Sequence, residues 1–460
     1  MAVAFRLRAQ SMLIALSVLC LAMPAFAQGQ GQAAQGRRVA LPSPSSDLLA
    51  QLETVYKDIH ANPDLAMQEQ RTAGIAANWL RQNGYTVTEK IGGTGVVGLL
   101  RNGDGPTVLL RADMDGLAMR ENTGLPYASK KTVTDKSGQQ VPVAHSCGHD
   151  MHVTWLMGAT RILAENKGRW RGTVMAVFQP AEETGEGALA MIKDGMLQRF
   201  PKPDVVLGQH VMPMPAGRVG TRPGLLLSMS DSYSVKLFGR GGHGSSPEST
   251  IDPVVMAAAS VMRLQTIVSR ELAITDGAVV TVGSIHAGHT GNIIPSEATF
   301  QLNIRTFNDQ VRETVLSSIR RVITAESEAS KAPKPPTFTA GSHFPPTYND
   351  DAATSRVVAA IKTRLGEGEV QQIIPASASE DFTHFARAWK VPSVYWAVGG
   401  TDRQTYAQAE KAGRVNQIPS NHSPEFAPVL NPTLRTGVDT MLAAAGAWLT
   451  PEGSPHEAGN

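Results

Sequence analysis

The chain has 460 residues, of which 42% are hydrophobic, and 42 basic against 40 acidic side chains leave a formal net charge of +2. That length supports two domains with substantial cores, and the well-mixed charge provides neither a basic stripe for nucleic acid nor a charge block for an interaction tail. Only Cys20 and Cys147 occur, so no framework of several disulfides holds the fold.

At the start, Arg6 and Arg8 precede an apolar run from Met12 to Met23, and Ala25-Phe26-Ala27 supplies the small residues that a signal peptidase reads. A secretory signal peptide is expected over residues 1–27, cleaved after Ala27, with a periplasmic or secreted product and no stable membrane anchor. Residues 28–44, rich in Gln, Gly and Ala, are expected to form a flexible lead-in. Cleavage leaves Cys147 as a lone thiol, either a small buried core residue or a reactive or metal-binding group.

From about residue 45 helices alternate with strands. LLAQLETVYKDIHANP has helical spacing and stops at Pro63, and RTAGIAANWLRQNGY is a second helix ending at Gly84. GVVGLLRN, TVLLRADM, TVMAVFQP and DVVLGQHV read as buried strands. The helix that follows HSCGHDMH carries Trp155, Leu156, Ala159, Ile162 and Leu163 on one face, and ALAMIKDGML is another helix. Near-continuous apolar strands alternating with helices predict a mixed or parallel sheet covered on both faces.

The rhythm changes near residue 230. SYSVKLFGRG, AVVTVGSIHAG, ATFQLNIRTF and PTFTAGSHF are strands, with long helices at PVVMAAASVMRLQTIVSREL and QVRETVLSSIRRVITAESEA. That β-α-β-β-α-β order is the ferredoxin-like split unit. SRVVAAIKTRLG, SVYWAVGG and TLRTGVDTMLAAAGAWL then resume the first pattern. The expected fold is α/β with two domains: a catalytic part over 45–228 and 345–450, an insertion over 229–344, and a flexible tail at 451–460.

In open α/β sheets, sites gather at the carboxyl ends of strands. TVLLRADMD ends in Asp113 and Asp115, TVMAVFQPAEE in Glu182 and Glu183, and DVVLGQH in His210, while HSCGHDMH opens a helix of the same domain. Each alone reads as a turn, cap or satisfied polar residue. Their recurrence at one edge points to metal, for which thiolate, imidazole and carboxylate are suitable donors.

FQPAEE, CGHD, ADMDGL, QHVMP, GRGGHGSSP, NIIP and NHSPEF, with IHANPDLAMQEQRT near the start, carry a resemblance. From about residue 50 to 448 the chain resembles the amidohydrolase branch of the zinc aminoacylase and carboxypeptidase-like metallopeptidases, which includes hippurate, indole-acetyl-amino-acid and N-acyl-L-amino-acid hydrolases. The resemblance implies two divalent ions per subunit (Zn, Mn, Co or Ni) held by Cys147, His149, Glu183, His210 and His422. It implies Glu182 as general base and Asp115 as the group that orients a ligand. Other branches have a histidine ligand where this chain has Asp113, and this branch uses Cys147 in compensation. His243 is implied as an oxyanion stabiliser, in its own site or that of a partner in a homodimer formed through the insertion.

Asn292 and Arg305 are candidate substrate-binding residues, although Arg305 also reads as an outward-facing strand arginine. Glu380 is expected to support the site, Asp150 and His152 to flank the ligands or cap a helix, His145 to be structural, and His286 and His289 to be surface residues. The expected activity is hydrolysis of the amide bond of N-acyl amino acids by a metal-activated water. A dipeptidase or carboxypeptidase of the same chemistry, and a non-catalytic exported binding protein on a degenerate scaffold, are the alternatives.

Overall fold

The large sheet owes its form to apolar strands that must be covered twice. In the computed structural model, which describes residues 40–450, eight strands lie in the order Thr86–Ile91, Gly95–Asn102, Gly172–Gln179, Thr107–Asp113, Val205–Pro215, Ser393–Thr401, Val219–Thr221 and Val370–Gln372. Thr107–Asp113 runs parallel to both its neighbours, and Ser393–Thr401 runs parallel to Val205–Pro215. Antiparallel pairing of the first two strands makes the sheet mixed. Alternate residues serve opposite cores: Val108, Leu110, Val174 and Ala176 join one cluster with Leu52, Trp155 and Val438, whereas Leu109, Met175 and Val177 join another with Phe385 and Trp389.

Helix His149–Glu165 lies at the centre of the first layer, with every residue buried except Arg161, Ala164 and Glu165. It starts from Gly148, whose φ of +93° and close approach to Val211 leave no room for a side chain: a Cβ would meet Val211 Cγ1 at 2.3 Å. The helix axis therefore begins at the sequence motif itself, with His149 in its first turn.

A second sheet has the antiparallel order Ala278–Ala287, Glu297–Thr306, Met229–Phe238 and Thr337–Phe344. Helices Pro253–Thr266 and Asp309–Ala329 supply its core with Val235, Leu237, Phe300, Leu302 and Ile304. The chain order of its strands and long helices is the expected β-α-β-β-α-β. Because side chains alternate, Asn303 and Arg305 project from the face opposite Leu302 and Ile304, away from the helices.

Several elements were not anticipated. Strand Thr86–Ile91, the three-residue strands Val219–Thr221 and Val370–Gln372, and helices Thr383–Trp389 and Arg403–Lys411 are present. ALAMIKDGML is split into Gly187–Lys193 and Met196–Arg199 at Gly195, whose φ is +86°. Within the segment expected to be a flexible lead-in, Leu41 and Pro44 are buried, and Arg364 donates to the Leu41 carbonyl at 2.9 Å. Packed structure thus begins earlier than composition suggests, because one leucine and an arginine clamp suffice to order a polar segment. The signal segment with its cleavage point after Ala27, and the 451–460 tail, lie outside the described residues.

Candidate metal centre and active site

Five chain segments deliver donors to the carboxyl edge of the large sheet, one of them the run from Cys147 to His149 that opens helix His149–Glu165. Asp113 ends strand Thr107–Asp113, with Asp115 just beyond it. After strand Gly172–Gln179 the backbone enters the left-handed region at Ala181 (φ 49°), a conformation that turns Glu182 and Glu183 toward the site. His210 lies within strand Val205–Pro215, and His422 sits on a loop, itself at φ 70°.

The side-chain contacts fix the tautomers. His149 Nδ1 lies 3.2 Å from Asp115 Oδ1, and the other Asp115 oxygen accepts the Glu183 N–H at 3.0 Å. With its proton on Nδ1, His149 turns the Nε2 lone pair into the centre. His210 Nδ1 donates to the Val211 carbonyl at 2.7 Å, so its Nε2 also faces inward, 3.5 Å from Cys147 Sγ. His422 Nε2 lies 3.2 Å from Glu183 Oε2.

This donor set fits divalent cations. Ligand atoms of Cys147, His149 and His210 lie within 4.8 Å of one another, as do those of Cys147, Glu183 and His422 and those of His149, Glu182 and Glu183. His149 Nε2 stands 3.8 Å from carboxylate oxygens of Asp113, Glu182 and Glu183, too far for hydrogen bonds. Among the described residues, the buried His149 Nε2 and Glu183 Oε1 have no hydrogen-bond partner. Unpaired buried donors and acceptors cost about 1–3 kcal/mol each, so their convergence on one point is a cost that a bound cation offsets. The observed separations suit the edge of a coordination polyhedron with bonds of about 2.0–2.3 Å.

The electrostatics agree. Burial, with Glu183 and Glu182 adding to it, pushes the Cys147 thiol up, and a cation would reverse that balance. Burial opposes a charge on His149, yet Asp113 and Asp115 outweigh it and raise its pKa to about 10, so without a cation those carboxylates hold a proton on the ring that a bound cation would displace. Burial, then the charges of Glu380 and Glu183, pushes Glu182 well above the usual carboxylate range. Burial alone would raise Glu183 as well, but the His422 contact and His149 draw it down.

The centre opens into a cavity of about 640 Å³, lined by Cys147, Glu182, Glu183, His210 and His422 and also by Arg305. Leu226, Leu227, Phe344 and Ile373 give it apolar walls. Arg305 is half-buried, and among the described residues its side chain meets only neutral partners, Asn303 Oδ1 at 2.9 Å and Ser379 Oγ at 2.6 Å. Burial lowers its pKa. Arg305 thus faces the cavity. His243 and Asn292, by contrast, do not line this cavity: His243 is exposed, pairs in a two-residue strand with Ile293, and contacts Ser245.

Of the buried polar residues nearby, Arg111 and Glu69 were not singled out by sequence. Arg111, in the middle of TVLLRADM, is fully buried and donates to Gln179, Asp113, Glu380 and Asp381. Glu69 accepts the Ala181 N–H at 2.8 Å, and burial with the charge of Asp115 raises its pKa to about 7. His152 is a buttress: its Nδ1 contacts Asp113 at 2.5 Å and its Nε2 accepts the Val211 N–H at 2.9 Å. His145 is buried, and burial draws its pKa down to about 4, as suits a neutral structural residue.

Fold and centre together define a metal-binding hydrolase of amide or peptide bonds. Residues 109–420 match the model of Peptidase family M20/M25/M40, and the chain belongs to that family. It is 38% identical to a hippurate hydrolase of Campylobacter jejuni over 347 residues, covering 75% of this chain and 87% of that one. It is 35% identical to an N-acetyl-L-cysteine deacetylase of Bacillus subtilis, covering 78% and 82%. Among solved structures, a dinuclear metal binding peptidase of the M20 family from Bacillus subtilis superposes with a TM-score of 0.67 at 25% identity, covering 87% of this chain and 98% of that one.

Proposed function

We propose that the protein is an exported amidohydrolase that cleaves N-acyl amino acids, with Cys147, His149, Glu183, His210 and His422 holding two divalent ions. The observation that carries this reading is the pair of orphaned atoms, His149 Nε2 and Glu183 Oε1, beside Glu182 in a cavity also lined by Arg305, a cation with no acidic hydrogen-bond partner among the described residues. Zn, Mn, Co or Ni bound among these donors would supply Lewis acidity to the scissile carbonyl and lower the pKa of water.

The remaining steps belong to the chain. Arg305 takes the substrate carboxylate, for which its planar fork is suited. The apolar walls receive an uncharged acyl group, which suits an N-acyl amino acid better than the free ammonium of a dipeptide. Glu182 accepts a proton from the attacking water as the oxygen bonds to the carbonyl carbon. It then delivers that proton to the nitrogen as the C–N bond breaks. Asp115 holds the His149 ring in its donor tautomer. We assign His243 and Asn292 to the site of a partner subunit in a homodimer formed through the segment 229–344, with His243 stabilising the oxyanion there.

The test is a hydrolysis screen of N-acyl amino acids, free dipeptides and acyl amino-acid amides, paired with elemental analysis. Turnover of the first class, with KM raised at least tenfold by Arg305→Ala and by masking the carboxylate as an amide, is expected. Equal turnover of all three classes would remove Arg305 from substrate recognition, and metal-free protein with full activity would remove the centre. Cell fractionation with the mature chain starting at Gln28 checks export.

A further inference from the structure

Asn421 lies next to the most exposed candidate ligand, His422, and reaches the backbone of Cys147 and of Val211, the residue after His210. Its side-chain amide nitrogen donates to the Cys147 carbonyl at 2.9 Å and to the Val211 carbonyl at 3.0 Å, partners 274 and 210 residues away in sequence. Both neighbours are acceptors, so the amide must present its NH₂ group to them. The Val211 carbonyl is the same oxygen that takes the His210 Nδ1 proton at 2.7 Å. One of its lone pairs therefore sets the His210 tautomer while the other anchors the 420–423 loop. The next residue closes the arrangement, as the His422 N–H donates to the Ser146 carbonyl at 2.8 Å.

That loop needs an anchor. His422 has a left-handed φ of 70°, a conformation that side chains adopt at a cost, and its side chain is 56% exposed. Solvent and backbone strain both favour release of the imidazole from Glu183. We propose that Asn421 is a positioning residue that locks the loop bearing His422 onto the backbone of Cys147 and Val211, so that three donors from distant segments keep the spacing a divalent ion needs. This rests on the metal-site reading above and adds to it a residue that touches no ion.

The experiment compares wild type, Asn421→Ala, Asn421→Asp and Asn421→Ser by equilibrium dialysis against Zn²⁺ with elemental analysis, alongside thermal unfolding of the chelated proteins. Loss of a partner behind a ligand typically weakens metal binding about tenfold to a hundredfold, and that is expected for Asn421→Ala at the ion held by His422. Asn421→Asp keeps the shape but turns a carboxylate oxygen toward two carbonyls, so it is expected to bind more weakly than Asn421→Ala. Asn421→Ser retains one donor and is expected to fall between wild type and alanine, and it reports even where the aspartate variant fails to fold. Chelated midpoints of the serine and alanine variants are expected to match wild type. Two tightly held ions in wild type and in every folded variant would overturn the lock while leaving the centre intact. Equal weakening by alanine and serine would also overturn it, and a wild type that binds no ion would overturn centre and lock together.

Discussion

Two buried polar clusters lie side by side at the carboxyl edge of the large sheet and share Asp113, but they differ in how their hydrogen-bonding capacity is used. Around Arg111 it is fully used. Nε serves Gln179 at 2.8 Å, one terminal nitrogen serves Asp113 at 2.6 Å and Glu380 at 3.2 Å, and the other serves Glu380 at 2.7 Å and Asp381 at 3.1 Å. Tyr395 and two backbone N–H groups complete Glu380. Around His149 the same residue types leave a ring nitrogen and a carboxylate oxygen with nothing to bind among the described residues. Composition does not separate a structural ion cluster from a binding centre; unspent atoms that converge with other ligand atoms within 4.8 Å do.

Glu182 sits on the boundary between the clusters, and changing it gives the largest expected effect. Glu182→Gln is expected to lower kcat by about two to four orders of magnitude while metal content stays at wild-type level. Steady-state kinetics with elemental analysis checks this, and near-normal turnover would place Glu182 with the structural cluster. Next, Arg111→Met leaves three carboxylates uncompensated and is expected to cost about 3–5 kcal/mol in urea unfolding of the chelated protein. An unchanged midpoint would mean that the Arg111 cluster contributes little to the fold.

The open cluster makes the opposite prediction. Chelation of wild type is expected to lower stability by the binding free energy alone, about 2.7 kcal/mol when the ion was present at about a hundred times its Kd. Cys147→Ala is expected to lose that response; a variant that still gains stability with added Zn²⁺ would return Cys147 to the core.

The most gradual effect concerns a third, closed cluster. His60 contacts Asp150 at 2.6 Å and Glu121 at 3.0 Å. Burial works against its charge, but Asp150 and Glu121 prevail and raise its pKa from 6.5 to about 10. Because the folded value is the higher one, this stabilisation is complete below pH 6.5 and drains away as pH rises through about 10. The slope is at most about 1.4 kcal/mol per pH unit. Denaturant midpoints of the chelated protein between those values are expected to fall for wild type and to flatten for His60→Gln; parallel profiles would show that His60 is neutral.

Much of the centre was legible because strand ends are legible. A polar residue closing an apolar run, as Asp113, Glu183 and His210 do, points to one sheet edge without any knowledge of tertiary contacts. Arg111 was overlooked for the converse reason: a charge inside a buried strand signals an internal partner, but not that Glu380 and Asp381, some 270 residues later, supply it. Asn421 stands within a motif that was noticed, NHSPEF, yet what it reaches depends on how distant segments pack. The ferredoxin-like unit was readable from periodicity alone, whereas Val219–Thr221 and Val370–Gln372 are too short to show a period. Strand ends also carried no information on His243 and Asn292, which lie in and beside the separate two-stranded pairing of Gly242–His243 with Ile293–Ile294 and do not line the cavity.

The nearly all-round burial of helix His149–Glu165 has a thermodynamic consequence for the ions. A helix held on every side cannot rotate or slide, so the entropy lost in fixing His149, and in fixing Asp115 behind it, is charged to folding and not to loading. Affinity for a cation then reflects bond formation with little ordering penalty, and the empty protein should hold most of its coordination geometry before the first ion arrives.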